Sequence, residues 1–479
     1  MNFKAQAVSG VKWTTLSTLI ITLLQFIQLF IIARLLDPED FGLMAIIMVV
    51  IGFAQAFQDM GISSAIIQRQ ELSHSQLSSL YWLNLASGVV LCLIVITISP
   101  LVANFYNDPR ITNLMAILSS VFILVAVGNQ YRILCQKEMD FSTLEIINVS
   151  SSFAGLVVAV VSAVQGLGIL ALVYAMLTQA GLASLLFLWI GLYRYHKPSL
   201  VYQHSELKGF YSFGFYQVGE RCINYIATNA DKMLIGKLVG MNATGFYNLA
   251  WNLIIFPVSK VNPIINKVAF PIYSKIQNNT AALSRYYTFN VKALSIITIP
   301  ILAFLFFFSH EIVQIVYGEG WDTTATLLPI LALVGILRAL GNPGGALILA
   351  LGWANVGFWW NLLWALCIVA ALTTALIISP TPQTAAYTLL GLSLTLGTCW
   401  HILVAKISKF NYWPIARYFL KIFAVVMTIG WLGSLIVKAV DLNSPLLRVL
   451  IGGFVCGTVY IAYLLLFEKS ILNSLRRET

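Results

Sequence analysis

The sequence predicts an all-α integral membrane protein of about 14 transmembrane helices, and three observations predict it. Of the 479 residues, 59% are hydrophobic and only 10% are charged, whereas soluble domains carry roughly 25% charged residues. Mean hydropathy is +0.86. Apolar runs long enough to cross a bilayer, about 20 residues each, recur from one end of the chain to the other, and no stretch between them could fold as a soluble domain. The cations gather on alternate connections, the pattern of a chain that crosses a membrane repeatedly.

In order, the spans fall at 11–36, 42–67, 78–102, 111–135, 143–165, 168–193, 209–239, 243–272, 289–313, 323–352, 354–379, 384–408, 415–438 and 446–467. The first is too long and too polar-flecked for a signal-peptide core and lacks a small-residue cleavage site behind it, so it is expected to stay as a helix. The outer connections are short and acidic, as in Asp37-Pro38-Glu39-Asp40 and in Glu319 with Asp322. The longest well-charged inner connection before the midpoint, Arg194 to Lys208, follows the sixth span. It separates a first lobe, 1–200, from a second, 201–412; residues 413–479 add two helices and a tail. At one fixed offset, Ala33-Arg34-Leu35-Leu36 aligns with Gly236-Lys237-Leu238-Val239 and Gly42 with Gly245, as expected of parallel duplicated halves.

With the N-terminus inside, most of the 28 Lys and Arg fall on inner segments, leaving Arg34, Arg110, Arg221, Lys232, Lys237, Lys438 and Arg448. Both termini are therefore expected in the cytoplasm. The net charge of +10 follows from inner cations beside anionic headgroups and calls for no nucleic-acid partner. Cys92, Cys135, Cys222, Cys367, Cys399 and Cys456 lie singly, the five histidines are scattered, and no phosphate loop, nucleophile elbow or paired-carboxylate pattern is present. No catalytic group, metal site or cofactor is expected, and the protein is not read as an enzyme.

Polar groups facing lipid are costly, so polar stripes on spans point to protein or to a water-filled cavity. Thr14, Thr18, Thr22, Gln25 and Gln28 share one face of the first span. They read as a cavity wall, with interhelical hydrogen bonding as the plainer explanation. On the seventh span, Gln217, Glu220, Arg221, Asn224, Thr228 and Asp231 share a broad face with Lys232 at its edge. Arg221 lies about 18 Å from the inner end, too deep to snorkel easily; a structural partner for it would be Asp59. Asp59, Glu220 and Asp231 are candidates for ion coupling. Lys260 precedes Asn262-Pro263, and Arg338 precedes Gly341-Asn342-Pro343-Gly344-Gly345, segments expected to interrupt their helices and line a cavity. Arg221, Lys260 and Arg338 would then present three cations to an anionic head group, with snorkelling to lipid phosphates the alternative for the last two. Arg34 and Lys237, related by the repeat at outer helix ends, are candidates for a gate; pairing with Asp37, Glu39 or Asp40 would also account for Arg34.

The segments Ser9-Gly10-Val11-Lys12-Trp13, Ala33-Arg34 through Asp40-Phe41-Gly42-Leu43, Asp59-Met60-Gly61-Ile62 through Ile67-Gln68-Arg69, and Leu80-Tyr81-Trp82-Leu83-Asn84 resemble the Wzx-like polysaccharide exporters. So do Gly245-Phe246-Tyr247-Asn248-Leu249-Ala250, Asn262-Pro263-Ile264-Ile265, Phe270-Pro271 and Gly341-Asn342-Pro343. The likeness spans nearly the whole chain and is strongest to the branch that exports colanic acid. It implies the superfamily (MOP) that includes multidrug and toxin extruders and peptidoglycan-precursor flippases, with two six-helix lobes, often two further helices, and alternating access. It also implies transfer of undecaprenyl-diphosphate-linked sugar units across the bacterial inner membrane, in company with a polysaccharide polymerase and chain-length proteins. Asp231 and Arg221 depart from a reliable family pattern.

The expectation is thus a flippase in which Arg221, Lys260 and Arg338 bind the diphosphate of a lipid-linked oligosaccharide. Thr18, Thr22, Gln25, Gln28 and Asn224 contact its sugars, and the polyprenyl chain stays among membrane lipids. An ion-driven small-molecule antiporter is the nearest alternative, although a cationic cavity suits cationic drugs poorly. A non-transporting or enzymatic component of a glycan assembly complex is the alternative from another class; short outer connections give an enzyme little room for a catalytic face.

Overall fold

The computed structural model describes residues 3–58, 66, 72–202, 211–440 and 442–469, with side chains at all of these but 3–9, 211–221, 223, 260–261, 263–268 and 354. Among the described residues the regular structure is entirely helical. The helices are α1 (Phe3–Ile32), α2 (Pro38–Gln58), α3 (His74–Tyr106), α4 (Arg110–Lys137), α5 (Phe141–Val164), α6 (Leu170–Arg194), α7 (Tyr211–Leu238) and α8 (Met241–Ile276). They continue as α9 (Thr280–Phe307), the short α10 (Ser309–Val316), α11 (Asp322–Ala350), α12 (Ala354–Ile378), α13 (Pro382–Ser408), α14 (Trp413–Ala439) and α15 (Pro445–Phe467). Every expected span corresponds to one long helix. Among the described residues, twelve of these are long and apolar enough to cross a membrane by themselves. The other two long helices carry polar and charged groups within them, Glu220, Arg221, Asp231 and Lys232 on α7 and Lys260, Asn262 and Lys267 on α8.

Capping residues explain where several helices begin. Ser73 and Gln76 form a reciprocal capping box at the start of α3, Asp140 accepts from the Thr143 amide at 3.2 Å before α5, and Thr381 accepts from Thr384 at 3.1 Å before α13. Each satisfies an amide that the helix leaves without a partner. The ninth span shows what hydropathy misses. It was expected at 289–313, yet α9 starts at Thr280, where Asn279 accepts from Ala282 at 3.0 Å. It ends at Phe307, and α10 is a separate helix. Its first turns carry Arg285 and Lys292, so the helix begins well before its apolar run.

Two further expectations are corrected. α8 runs unbroken through Asn262 and Pro263, and α11 through Gly341 to Gly345, with Pro329 and Pro343 inside it. Proline removes one amide donor, a loss that a helix packed inside a bundle tolerates. In α11 the Trp400 indole of α13 donates to the Gly341 carbonyl at 3.1 Å. Gly344 makes room for that ring, since a Cβ there would stand 2.8 Å from the indole nitrogen. Gly344 therefore serves close packing rather than a break.

Packing divides the chain into two compact units, Met1–Asn229 and Ala230–Thr479, so α7 contributes its earlier part to the first and its last turns to the second. In the first unit, buried amides reach backbone carbonyls on neighbouring helices: Gln58 to Phe122 at 2.9 Å, Asn84 to Ala126 at 3.0 Å and Gln130 to Leu77 at 2.9 Å. In the second, Thr324 reaches Phe246 at 3.1 Å, Tyr317 reaches Leu249 at 3.1 Å and Tyr460 reaches Ile296 at 2.9 Å. Where lipid replaces water, such polar ties and close packing hold helices together.

Candidate functional site

In the second unit, α8, α11 and α12 converge on Arg338. Gly335 lies one turn before it on α11, and a Cβ there would come within 2.5 Å of Ile254 on α8. This close approach brings Trp251, also on α8, alongside the arginine. The guanidinium lies 5.0 Å from the Trp251 ring centroid and 5.5 Å from that of Trp364 on α12. Among the described residues its buried Nε has no hydrogen-bond partner, and no carboxylate comes within ion-pair distance. A guanidinium has five N–H donors and no acceptor. Aromatic faces stabilise its charge but accept few of those hydrogen bonds. The group is thus a half-buried, fork-shaped cation whose Nε donor is unspent among the described residues, and the chemical partner it fits is phosphate or carboxylate.

The surroundings extend this aromatic wall. Trp360 stands 5.1 Å from Trp400, and Tyr247 stacks on Trp251 one turn along α8, with centroids 6.3 Å apart. The Tyr247 hydroxyl donates to Asp231 Oδ2 at 2.6 Å, while Asp231 Oδ1 accepts from the Lys232 amide at 2.8 Å. Asp231 is buried and serves as an acceptor through both oxygens. Asn262 is buried with both ends of its amide unmatched among the described residues, a second set of unspent polar groups on α8.

In the first unit the stripe on α1 is uncovered by that unit's own packing: Thr18 and Gln25 are exposed, and Thr22 and Gln28 half-buried. Thr18 donates back to the Thr14 carbonyl at 2.6 Å. Asn224 and Thr228 on α7 are exposed too, while Tyr225 between them donates to the Met48 carbonyl of α2 at 3.1 Å. Arg34 is exposed, lies 3.7 Å over the Phe30 ring and donates to the Phe30 carbonyl at 2.9 Å. Glu39 is taken by Arg110, which also bonds Asp108 at 2.7 Å; that bond holds the Asp108 carboxyl below the usual carboxylate range. Lys237 is exposed in the last turn of α7. Asp59 and the side chains of Glu220, Arg221 and Lys260 lie outside the described residues.

Sequence reading missed the tryptophan faces around Arg338, because three helices contribute to that cluster and no local spacing betrays it. It also missed Glu145 on α5, which sits near a span end where a charge looks interfacial. Glu145 is 8% exposed and accepts from Ser17 of α1 at 2.7 Å.

The family model for polysaccharide biosynthesis proteins matches residues 31–326. The chain is 34% identical over 361 residues to the lipopolysaccharide biosynthesis protein WzxC of Escherichia coli strain K12, covering 75% of this chain and 73% of that one. It is 33% identical over 429 residues to the teichuronic acid biosynthesis protein TuaB of Bacillus subtilis strain 168, covering 89% and 88%. Among solved structures, the inward closed lipid II flippase MurJ superposes with a TM-score of 0.74 at 14% identity, covering 96% of this chain and 99% of that one. At that identity the likeness is one of fold.

Proposed function

The chain belongs to the family of polysaccharide biosynthesis proteins, and from that premise we propose that it is a flippase for polyprenyl-diphosphate-linked oligosaccharide units. It carries them from the cytoplasmic to the periplasmic leaflet of the bacterial inner membrane by alternating access. The observation that carries this reading is Arg338, a cation held against Trp251 and Trp364 with its Nε unmatched. A diphosphate supplies the anionic oxygens that such a fork takes up. The relatives' roles in lipopolysaccharide and teichuronic acid biosynthesis support a polysaccharide pathway, and the MurJ-like fold supports a lipid-linked cargo.

In this reading Arg338, with Arg221 and Lys260, seats the diphosphate. Thr18, Thr22, Gln25, Gln28 and Asn224 contact the sugars while the polyprenyl chain stays in lipid. Asp59, Glu220 and Asp231 are the proposed ion-coupling acids; Asp231 would exchange the Tyr247 hydroxyl for its ion. Arg34 and Lys237 close the outer side, both termini lie in the cytoplasm, and a polymerase with chain-length proteins receives the flipped units.

The test is translocation by purified protein in liposomes, read by an enzyme that reaches only the outer leaflet. The proposal expects a lipid-linked oligosaccharide to cross with the wild-type protein and to stop with Arg221→Ala or Arg338→Ala at equal protein abundance. Gradient-driven movement of a small soluble solute, with no lipid-linked sugar crossing, would contradict it in favour of an antiporter.

A further inference from the structure

Glu145 is a buried acid with no role in the scheme above. It lies in the second turn of α5, and its Oε2 accepts from the Ser17 hydroxyl at 2.7 Å, with the Asn148 amide at 3.4 Å. Ser17 is 3% exposed. Among the described side chains, cations on the elements packed against α5 are engaged elsewhere or exposed; that of Lys4 on α1 lies outside the described residues. Lys12 of α1 is exposed, Arg132 of α4 bonds Asn129 at 3.1 Å, and Arg194 of α6 pairs with Asp140 at 3.3 Å. Among the described residues none of these three cations forms an ion pair with Glu145. An ionisable group within a spanning helix that has only neutral donors for company is a functional group by default.

A second observation concerns the hydroxyl. Ser17 has one proton to donate but two acceptors in reach, Glu145 at 2.7 Å and the Thr14 carbonyl at 3.1 Å. We infer that Glu145 is a proton-binding site that sets how firmly α1 is docked on α5. As the carboxylate, Glu145 takes the Ser17 proton in a charge-assisted bond. When a proton binds Glu145, the new O–H donates to Ser17 Oγ and the Ser17 proton turns to the Thr14 carbonyl. The tie between the helices survives as a neutral hydrogen bond, roughly half as strong. No bond other than O–H forms or breaks, and the proton comes from the gradient across the membrane.

The consequence lies on the neighbouring face of α1. Thr14 begins the polar stripe of Thr18, Thr22, Gln25 and Gln28, and α1 is seated on α5 at Gly10, where a Cβ would meet the Phe141 ring at 2.6 Å. Loosening the tie two turns along from that seat frees the stripe-bearing part of the helix to shift. The coupling to transport rests on the function proposed above; the proton site itself does not.

Spin labels at the exposed Leu19 of α1 and Val157 of α5 read the docking directly, without substrate, in the purified protein in liposomes. The distance distribution should shift with pH in the wild-type background. It should stay at its acid form throughout in Glu145→Gln, and follow pH again in Glu145→Asp. Ser17→Ala, which keeps the acid but removes the switch, should also blunt the shift. A pH response unchanged in Glu145→Gln overturns the site, and a response to sodium at fixed pH that vanishes in that variant overturns the proton in favour of a metal ion. In transport assays, the ratio of rates with and without an imposed pH gradient should fall to unity in Glu145→Gln. If no lipid-linked sugar moves at all, the label distances still decide the proton site.

Discussion

Arg338 in the second unit and Glu145 in the first are both ionisable groups within spanning helices, yet their surroundings are opposite in kind. Arg338 has the aromatic faces of Trp251 and Trp364 beside it and a buried Nε with no acceptor among the described residues. Glu145 has hydroxyl and amide donors at 2.7 and 3.4 Å and, among the described residues, no ion pair. The cation is preorganised but chemically unfinished, the state expected of a site that a ligand completes. The acid is finished by neutral donors whose pattern can reverse, the state expected of a group that changes charge. Asp231 stands between these cases, its acceptors filled by Tyr247 and a backbone amide, so an ion there must displace a strong hydrogen bond.

The sharpest way to break this comparison is to remove the cation. Arg338→Gln should lower translocation by at least about tenfold, since hydrogen bonds to charged groups contribute about 1.5–3 kcal/mol and about 1.4 kcal/mol is tenfold. Arg338→Lys should recover only part, because an ammonium lacks the planar fork. Retained transport in Arg338→Gln would make the arginine structural.

A smaller effect is expected at the helix crossing that builds the site. Gly335→Ala forces a methyl toward Ile254 and should destabilise the protein by about 1–3 kcal/mol, seen as a lower unfolding temperature in detergent, with Ile254→Ala restoring part of it. Smaller still, Trp364→Leu should weaken substrate binding severalfold, the range of a cation–π contact worth about 0.5–2 kcal/mol, while leaving unfolding nearly unchanged.

The smallest lies away from both groups. His196 is 5% exposed, meets Ser78 at 3.2 Å and stands 4.4 Å from the His74 ring. Burial, then the neighbouring His74, holds its pKa below the ordinary value of 6.5. The unfolded chain therefore takes the proton first, so this contribution is complete above about pH 6.5 and declines as pH falls toward the lower folded value. Unfolding midpoints measured between pH 8 and pH 5 should show that decline, and His196→Gln should flatten it.

Helix number and position were legible in the sequence because each span is an apolar run, and the boundaries that moved did so for local reasons, as at Asn279 and Phe308. Arg338 was legible as a cation within a span. Its setting was not, because the glycines and proline that follow it read as a break, whereas Gly344 admits the Trp400 ring and the helix continues. Glu145 escaped because its meaning depends on Ser17, 128 positions away, and no periodicity within one helix encodes a partner on another.

The central claim is that the Arg338 pocket seats the diphosphate of a lipid-linked sugar. The most direct test measures binding of a polyprenyl-diphosphate-linked oligosaccharide, and of the same glycolipid without its phosphates, to wild-type and Arg338→Gln protein in detergent. The account predicts that the wild type prefers the diphosphate form by about tenfold or more and that the variant loses this preference. Equal binding of the two lipids by the wild type, or an undiminished preference in Arg338→Gln, would contradict it.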